Sequence, residues 1–190
     1  MQRKVLNKAK LWQILGYKPS PEQLAVHSST ARFRVNVQGR RSGKSYSAAK
    51  EVLPYLLVPN NRCWVVAPTL DLANKIVREI QIDVVRNLKL PIAFKKEVSG
   101  SLHYMKLAGL NSELSAKSAD RPETLVGDGV DVLIVEEAAK IRRIVWEQYL
   151  RPTLADKQGW ALFTTTPEGY NWIYELWQRG KSEDFPDWDS

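Results

Sequence analysis

Cysteine occurs once in these 190 residues, at Cys63. A single thiol excludes an internal disulfide and any cysteine-based zinc cluster. Placed between Arg62 and Trp64-Val65-Val66, it reads as a reduced core thiol. No apolar run approaches the roughly 18 residues of a membrane span, and residues 1–15 lack a signal-peptide apolar region and cleavage site. An intracellular protein with no membrane contact is therefore expected. No internal repeat is visible. What is present suits one globular α/β domain: 44% of residues are hydrophobic, and 28 Lys plus Arg against 21 Asp plus Glu give a net charge of +7. That charge suits an anionic partner, although a basic surface that only keeps the chain in solution would look the same.

Hydrophobic spacing divides the chain into alternating elements. Residues 1–18 carry Arg3, Lys4, Lys8, Lys10 and Lys18 among helically spaced apolar residues that end near Gly16. Ser20-Pro21-Glu22-Gln23 is a helix start, with a cap, a proline at the first position and an acid in the first turn. The pattern then predicts a strand at 33–37, a helix at 45–57, a strand at 63–67 and a helix at 71–88. A hairpin follows at 92–98 and 102–107, broken by Ser99-Gly100-Ser101, and a loop at 115–129. Next come a buried strand at 131–137, a helix at 144–154, a strand at 160–164 and a helix at 171–179. Residues 1–180 are expected to form one domain, and 181–190 an acidic linker or tail. Strands alternating with helices argue a mainly parallel sheet flanked by helices.

Two segments carry chemistry. Gln38-Gly39-Arg40-Arg41-Ser42-Gly43-Lys44-Ser45 stands between a strand and a helix, the setting of a phosphate-binding loop. Backbone N–H groups around small residues can cradle an anion, the helix adds its positive end, Lys44 reaches the terminal phosphates and Ser45 can ligate Mg²⁺. The first glycine of the usual pattern is replaced by Gln38. The second segment, Asp131-Val132-Leu133-Ile134-Val135-Glu136-Glu137, is a strand ending in two carboxylates. In open α/β sheets the ligand lies beyond the carboxyl ends of the strands, which sets this pair beside the loop. Glu136 would hold Mg²⁺ and Glu137 would orient and deprotonate the attacking water, provided that the strand ends near Glu136 and the chain turns. The implied ligand is a nucleoside triphosphate. Because 63–67 falls between the loop strand and the acidic strand in sequence, the order fits the phosphate-loop ATPases that insert an additional strand and use a catalytic glutamate.

Together with Gly16-Tyr17-Lys18-Pro19, Gln23 and Thr164-Thr165-Thr166-Pro167-Glu168-Gly169, these segments resemble the ATPase half of the large terminase subunit of tailed bacteriophages. A phosphate loop that departs from the usual pattern and contains arginines is itself a habit of that family. Glu136 stands where an aspartate is more usual. The resemblance implies ATP and Mg²⁺ as cofactors. Tyr17 and Gln23 would contact the base, Gly39, Arg40, Arg41, Ser42, Gly43, Lys44 and Ser45 the phosphates, and Ser45 and Glu136 the metal. Glu137 would act on the water, and Thr165, within the threonine run, would sense the γ-phosphate. An arginine that stabilises the transferring phosphoryl group is expected from Arg40 in the same subunit or from Arg121 of a neighbour.

The same resemblance implies double-stranded DNA, a portal on a procapsid, a small terminase subunit and a ring of like subunits as partners, in the host cytoplasm. Candidate DNA-facing cations are Lys95, Lys96 and Lys106 at the hairpin and Arg142, Arg143 and Arg151 after the acidic strand. No nuclease activity is expected from this chain. A helicase- or recombinase-like ATPase of the same fold and a DNA-binding module that does not hydrolyse ATP are the competing readings.

Overall fold

Residues 63–67, 132–135 and 160–163 are almost unbroken apolar runs, which only a strand covered on both faces can accommodate. In the computed structural model Cys63, Val65, Ala67, Val132, Ile134 and Leu162 pack to one face of a sheet. Their neighbours Trp64, Val66, Leu133, Val135, Ala161 and Phe163 pack to the other. The model describes residues 6–98, 100–127 and 129–190. Arg3 and Lys4 of the expected basic segment and Ser99 of the hairpin turn lie outside them. Among the described residues no helix is long and apolar enough to cross a membrane.

The chain runs α1 (Lys8–Leu15), α2 (Pro21–Ser28), β1 (Phe33–Val37), α3 (Lys44–Leu56), β2 (Arg62–Ala67) and α4 (Leu70–Ile82). It continues through β3 (Ile92–Val98), β4 (Ser101–Leu107), β5 (Glu113–Ser118) and β6 (Val132–Glu136). Then come α5 (Arg143–Val145), a π-helical turn (Trp146–Leu150), α6 (Arg151–Thr153), β7 (Trp160–Thr165), α7 (Trp172–Lys181) and β8 (Trp188–Asp189). The strands form one eight-stranded sheet in the order β3-β4-β5-β2-β6-β7-β1-β8. β1, β7, β6, β2 and β5 are parallel neighbours, and the β3–β4 hairpin extends that sheet in antiparallel fashion.

Several expectations are corrected. The strand between β1 and β6 is β7, and β2 pairs on the far side of β6. Chain order does not set spatial order where helical crossovers skip positions. Residues 113–118, the latter part of which was expected in a loop, form β5. Leu114 and Ala116 are the only apolar residues of that strand, and both are buried. The helix expected to run to residue 88 gives way at Asp83 to a π-helical turn, where the buried Asp83 carboxylate pairs with Lys50. In the acidic C-terminal stretch, Trp188 and Asp189 pair with β1, and the Trp188 ring lies 4.8 Å from that of Phe33.

Pro54 sits inside α3. Having no N–H, it leaves the Lys50 carbonyl without its usual helical donor, and Trp12 Nε1 of α1 donates to that oxygen at 3.4 Å. A proline thus fixes where the N-terminal helix docks.

Candidate active site

Asn36 and Glu136 both sit opposite β7 residues, Asn36 aligned with Thr164 and Glu136 with Thr164 from the other side. The carboxyl ends of β1, β7 and β6 therefore meet at one edge, where the chain turns from β1 into α3. Arg41 (φ 63°) and Gly43 (φ 80°) both take left-handed backbone there, and Gly43 is the residue on which α3 starts. The left-handed backbone of Gly43 favours glycine there, and a Cβ on it would stand 2.8 Å from Gln23 Nε2, displacing that side chain.

Lys44 and Glu136 are buried, at 7% and 4% exposure. The hydroxyls of Ser45 and Thr164 both donate to the Glu136 carboxylate, one to each oxygen. Burial pushes the Glu136 pKa up; the two hydroxyls oppose that shift, the Glu137 charge adds to it and the Lys44 charge opposes it, leaving it above the ordinary value. Glu137 adopts φ 49°, ψ 44°. This left-handed residue ends the strand after Glu136 and lets the two adjacent carboxylates serve one site, as the sequence required. Glu137 Oε2 is buried without a hydrogen-bond partner among the described residues, and Lys140 Nζ stands 3.8 Å from it. Two more buried side-chain atoms near this edge, Asn36 Nδ2 and Gln38 Oε1, also lack partners. Orphaned polar atoms at the mouth of a phosphate loop fit a polar ligand.

The structure brings Lys44, Ser45, Glu136, Glu137 and Thr164 together. Thr165, the threonine singled out in the sequence, instead accepts from Ala139 N–H at 3.3 Å and so braces the turn behind Glu137. Arg40 and Arg41 are exposed in the loop. Arg121 follows β5, four strand spacings from β1, which at about 4.8 Å each is on the order of 19 Å. Tyr17 is buried; its hydroxyl meets His27 Nε2 at 2.9 Å and donates to Gln23 Oε1 at 3.3 Å. Burial pushes its pKa well up. Tyr17 therefore reaches the loop through Gln23.

Of the candidate DNA-facing cations, Arg143 is held by Glu147 at 2.7 Å and Glu175 at 2.9 Å. Lys95 lies 3.1 Å from Glu97 and Lys106 lies 3.7 Å from Glu113.

One cluster escaped the sequence. Glu51, in the middle of α3 and fully buried, bonds Lys8 (2.7 Å), Arg34 (2.7 Å) and His27 (2.8 Å). Burial works to raise its pKa, and the Arg34 charge, the His27 hydrogen bond and the Lys8 charge outweigh that and hold it below the ordinary value. The available signal was Arg34 and Asn36, polar residues on one face of a buried strand.

A family profile described as terminase large subunit, T4likevirus-type, N-terminal, matches residues 36–186. The chain belongs to the terminase large-subunit family. It is 37% identical over 195 residues to the terminase large subunit of Thermus virus P23-45, covering 93% of this chain and 40% of that protein. This terminase chain thus spans about 40% of the length of the relatives it matches. Among solved structures, the ATPase domain of the Thermus phage P74-26 large terminase superposes with a TM-score of 0.83 at 34% identity, over 99% of this chain and 85% of that one. The large terminase of another thermophilic bacteriophage, solved in complex with ADP, shares the fold at 13% identity, with a TM-score of 0.67 over 90% of this chain and 44% of that one.

Proposed function

We propose that this terminase chain hydrolyses ATP and drives double-stranded DNA into a procapsid. It would work as one subunit of a ring on a portal, with a small terminase subunit, in the host cytoplasm. The observation that carries the reading is the edge where Ser45 and Thr164 clamp Glu136 while Glu137, on its left-handed turn, presents a carboxylate oxygen that makes no hydrogen bond among the described residues.

Lys44 supplies positive charge to the terminal phosphates, and the α3 amino end supplies backbone donors. Ser45 and Glu136 are hard oxygen ligands in direct contact, a donor set that suits Mg²⁺, which takes one or two protein oxygens and the substrate's phosphates. Bound there, Mg²⁺ would neutralise phosphate charge. Glu137 accepts the proton of the attacking water. Thr164 reports on Glu136, and Thr165 ties β7 to the turn behind Glu137, so a change at the phosphates reaches the strand end. With β7 lying between β1 and β6, the topology supports the additional-strand, catalytic-glutamate class. Arg40, in the loop itself, would act on its own subunit's nucleotide, and Arg121, which follows β5 four strands from β1, on a neighbour's.

ATP turnover by the purified chain, with and without double-stranded DNA, tests this reading. Turnover should fall about a hundredfold or more in Lys44→Ala, and DNA binding should ignore sequence and weaken steeply with salt. Undiminished turnover in Lys44→Ala would remove the phosphate-loop assignment.

A further inference from the structure

The two ends of the sheet carry opposite charge. At the end formed by α7 and β8, Glu168 and Glu175 are held by Lys140 and Arg143, whereas Glu183, Asp184 and Asp187 are exposed and in no ion pair among the described residues. The cations of that end, Arg179 and Lys181, lie over the Phe185 and Trp177 rings. At the β3 end, Lys95 and Lys106 lie beside Glu97 and Glu113, and Arg86, Lys89 and Lys96 are exposed and in no ion pair among the described residues.

Each end also presents apolar surface. Phe94 stands opposite Lys106 and Lys96 opposite Tyr104, so these four residues share one face of the β3–β4 hairpin. The other face packs Met105 and Leu107 into the core with Ile76 and Ile80 of α4. Among the described residues, none from β3 or β4 joins the core on the first face, which α7 covers farther along the sheet through Ile173 and Leu176. Phe94 is accordingly 58% exposed, with its ring 5.9 Å from that of Tyr104. At the α7 end, Tyr170 is 89% exposed, its ring 4.8 Å from that of Tyr174, which stacks on Trp177 at 6.0 Å. Between this row and the end of β7 lies an open cavity of about 250 Å³, lined by Val37, Thr166, Pro167, Ile173, Tyr174 and Trp177. Sites that enclose a small molecule are larger, roughly 300–1,000 Å³, so this one suits a single side chain.

Resting on the ring reading above, we propose that the β3 end of one copy docks on the α7 end of the next. Phe94 enters the cavity beside Tyr174, and the exposed cations of the β3 end face Glu183, Asp184 and Asp187. A nucleic-acid duplex could meet the cations of one end but would be repelled by the acids of the other, and only a second copy satisfies both. The contact joins two different surfaces, so it repeats from copy to copy and closes into a ring if the rotation allows. The cavity also borders Ala139 and Thr165, which brace the turn behind Glu137. A docked neighbour therefore touches the turn that carries the candidate catalytic carboxylate.

The test is self-association without DNA, so that no duplex can bridge two copies. Phe94→Cys and Tyr174→Cys chains, mixed in equal amounts and oxidised, should form mixed disulfide pairs well beyond the half that random collision gives. The three possible pairs differ in mass, and Cys63 is buried and stays out of the reaction. Lys96→Glu and Asp184→Lys should each weaken self-association by about fivefold or more in sedimentation. The chain that carries both changes should return to within about threefold of the parent. Like pairs as abundant as mixed ones, self-association that ignores both reversals, a doubly reversed chain no tighter than either single variant, or a chain that stays monomeric at every concentration would each overturn the docking. The charge reversals decide even if a cysteine variant fails to fold. ATP turnover by the same samples reports on the nucleotide reading separately. Association through other surfaces with turnover intact removes this docking and leaves the ring.

Discussion

Glu51 and Glu136 are both glutamates almost sealed from water, and burial alone would raise the pKa of each. Glu51 faces Arg34, His27 and Lys8 and is pulled below the ordinary value. Glu136 accepts from two hydroxyls while the Glu137 and Lys44 charges act on it in opposite senses, and it remains above that value. A carboxylate bonded directly to Arg34, Lys8 and an imidazole is structural, whereas one bonded only to neutral hydroxyls has room for a further positive charge. The two lie on the same helix–strand unit: Glu51 locks α3 to α1, α2 and β1, and Glu136 touches Ser45 at the start of α3. Rigidity in the middle of α3 therefore supports exchangeable chemistry at its start.

The largest expected effect lies at the exchangeable end. Glu137→Gln should reduce ATP turnover by about 10²- to 10⁴-fold with nucleotide affinity retained, because an amide can hold the water but cannot take its proton. Binding and single-turnover measurements would show it. If affinity fell with turnover, Glu137 would belong with Glu136 as a metal ligand. At the rigid cluster, Glu51→Gln should cost about 3–5 kcal/mol of folding stability by leaving the buried Arg34 without its counter-charge. Glu136→Gln should change the stability of the nucleotide-free chain by only about 1 kcal/mol or less while weakening Mg²⁺-dependent nucleotide binding. Comparable losses of stability in both variants, read by urea melts, would dissolve the contrast.

The pH dependence sharpens it. Glu51 has a lowered folded pKa, so its contribution is present above its unfolded value of about 4.3 and is lost as pH falls through the folded value. Glu136 has a raised folded pKa, so its contribution is present below the unfolded value and is lost as pH rises through the folded one. Stability measured against pH should therefore tilt in opposite senses in the two Gln variants. The smallest effect concerns the docking of α1: Trp12→Phe should cost about 1 kcal/mol, since it returns the Lys50 carbonyl beside Pro54 to the unpaired state. An unchanged melt would show that the 3.4 Å contact contributes nothing.

Much of the nucleotide edge was legible in the chain because its signals are local. A phosphate loop needs small residues between a strand and a helix, and a buried strand needs an apolar run, so 38–45 and 131–137 declared themselves. The sequence made a shared role for the two carboxylates conditional on the chain turning after Glu136, and the chain does turn there, at the left-handed Glu137. Weak strands did not declare themselves: β5 offers only Leu114 and Ala116 to the core, and β8 is two residues beside an aromatic cluster. Thr164 and Thr165 could be named as a pair from the sequence, but strand alternation, fixed by the register with Glu136, decided which one meets the carboxylate.

By itself the sequence determined most of the element types, the two-sided burial of the central strands and where the candidate loop and acidic pair lie, since each depends on residues near one another in the chain. Tertiary structure alone decided that β7 separates β1 from β6, that Glu51 gathers Lys8, His27 and Arg34, and that the Gln23 carbonyl is turned inward. Those facts depend on which distant segments share a face or an edge of the sheet. The summed packing of the whole core chooses that arrangement, which no local pattern encodes.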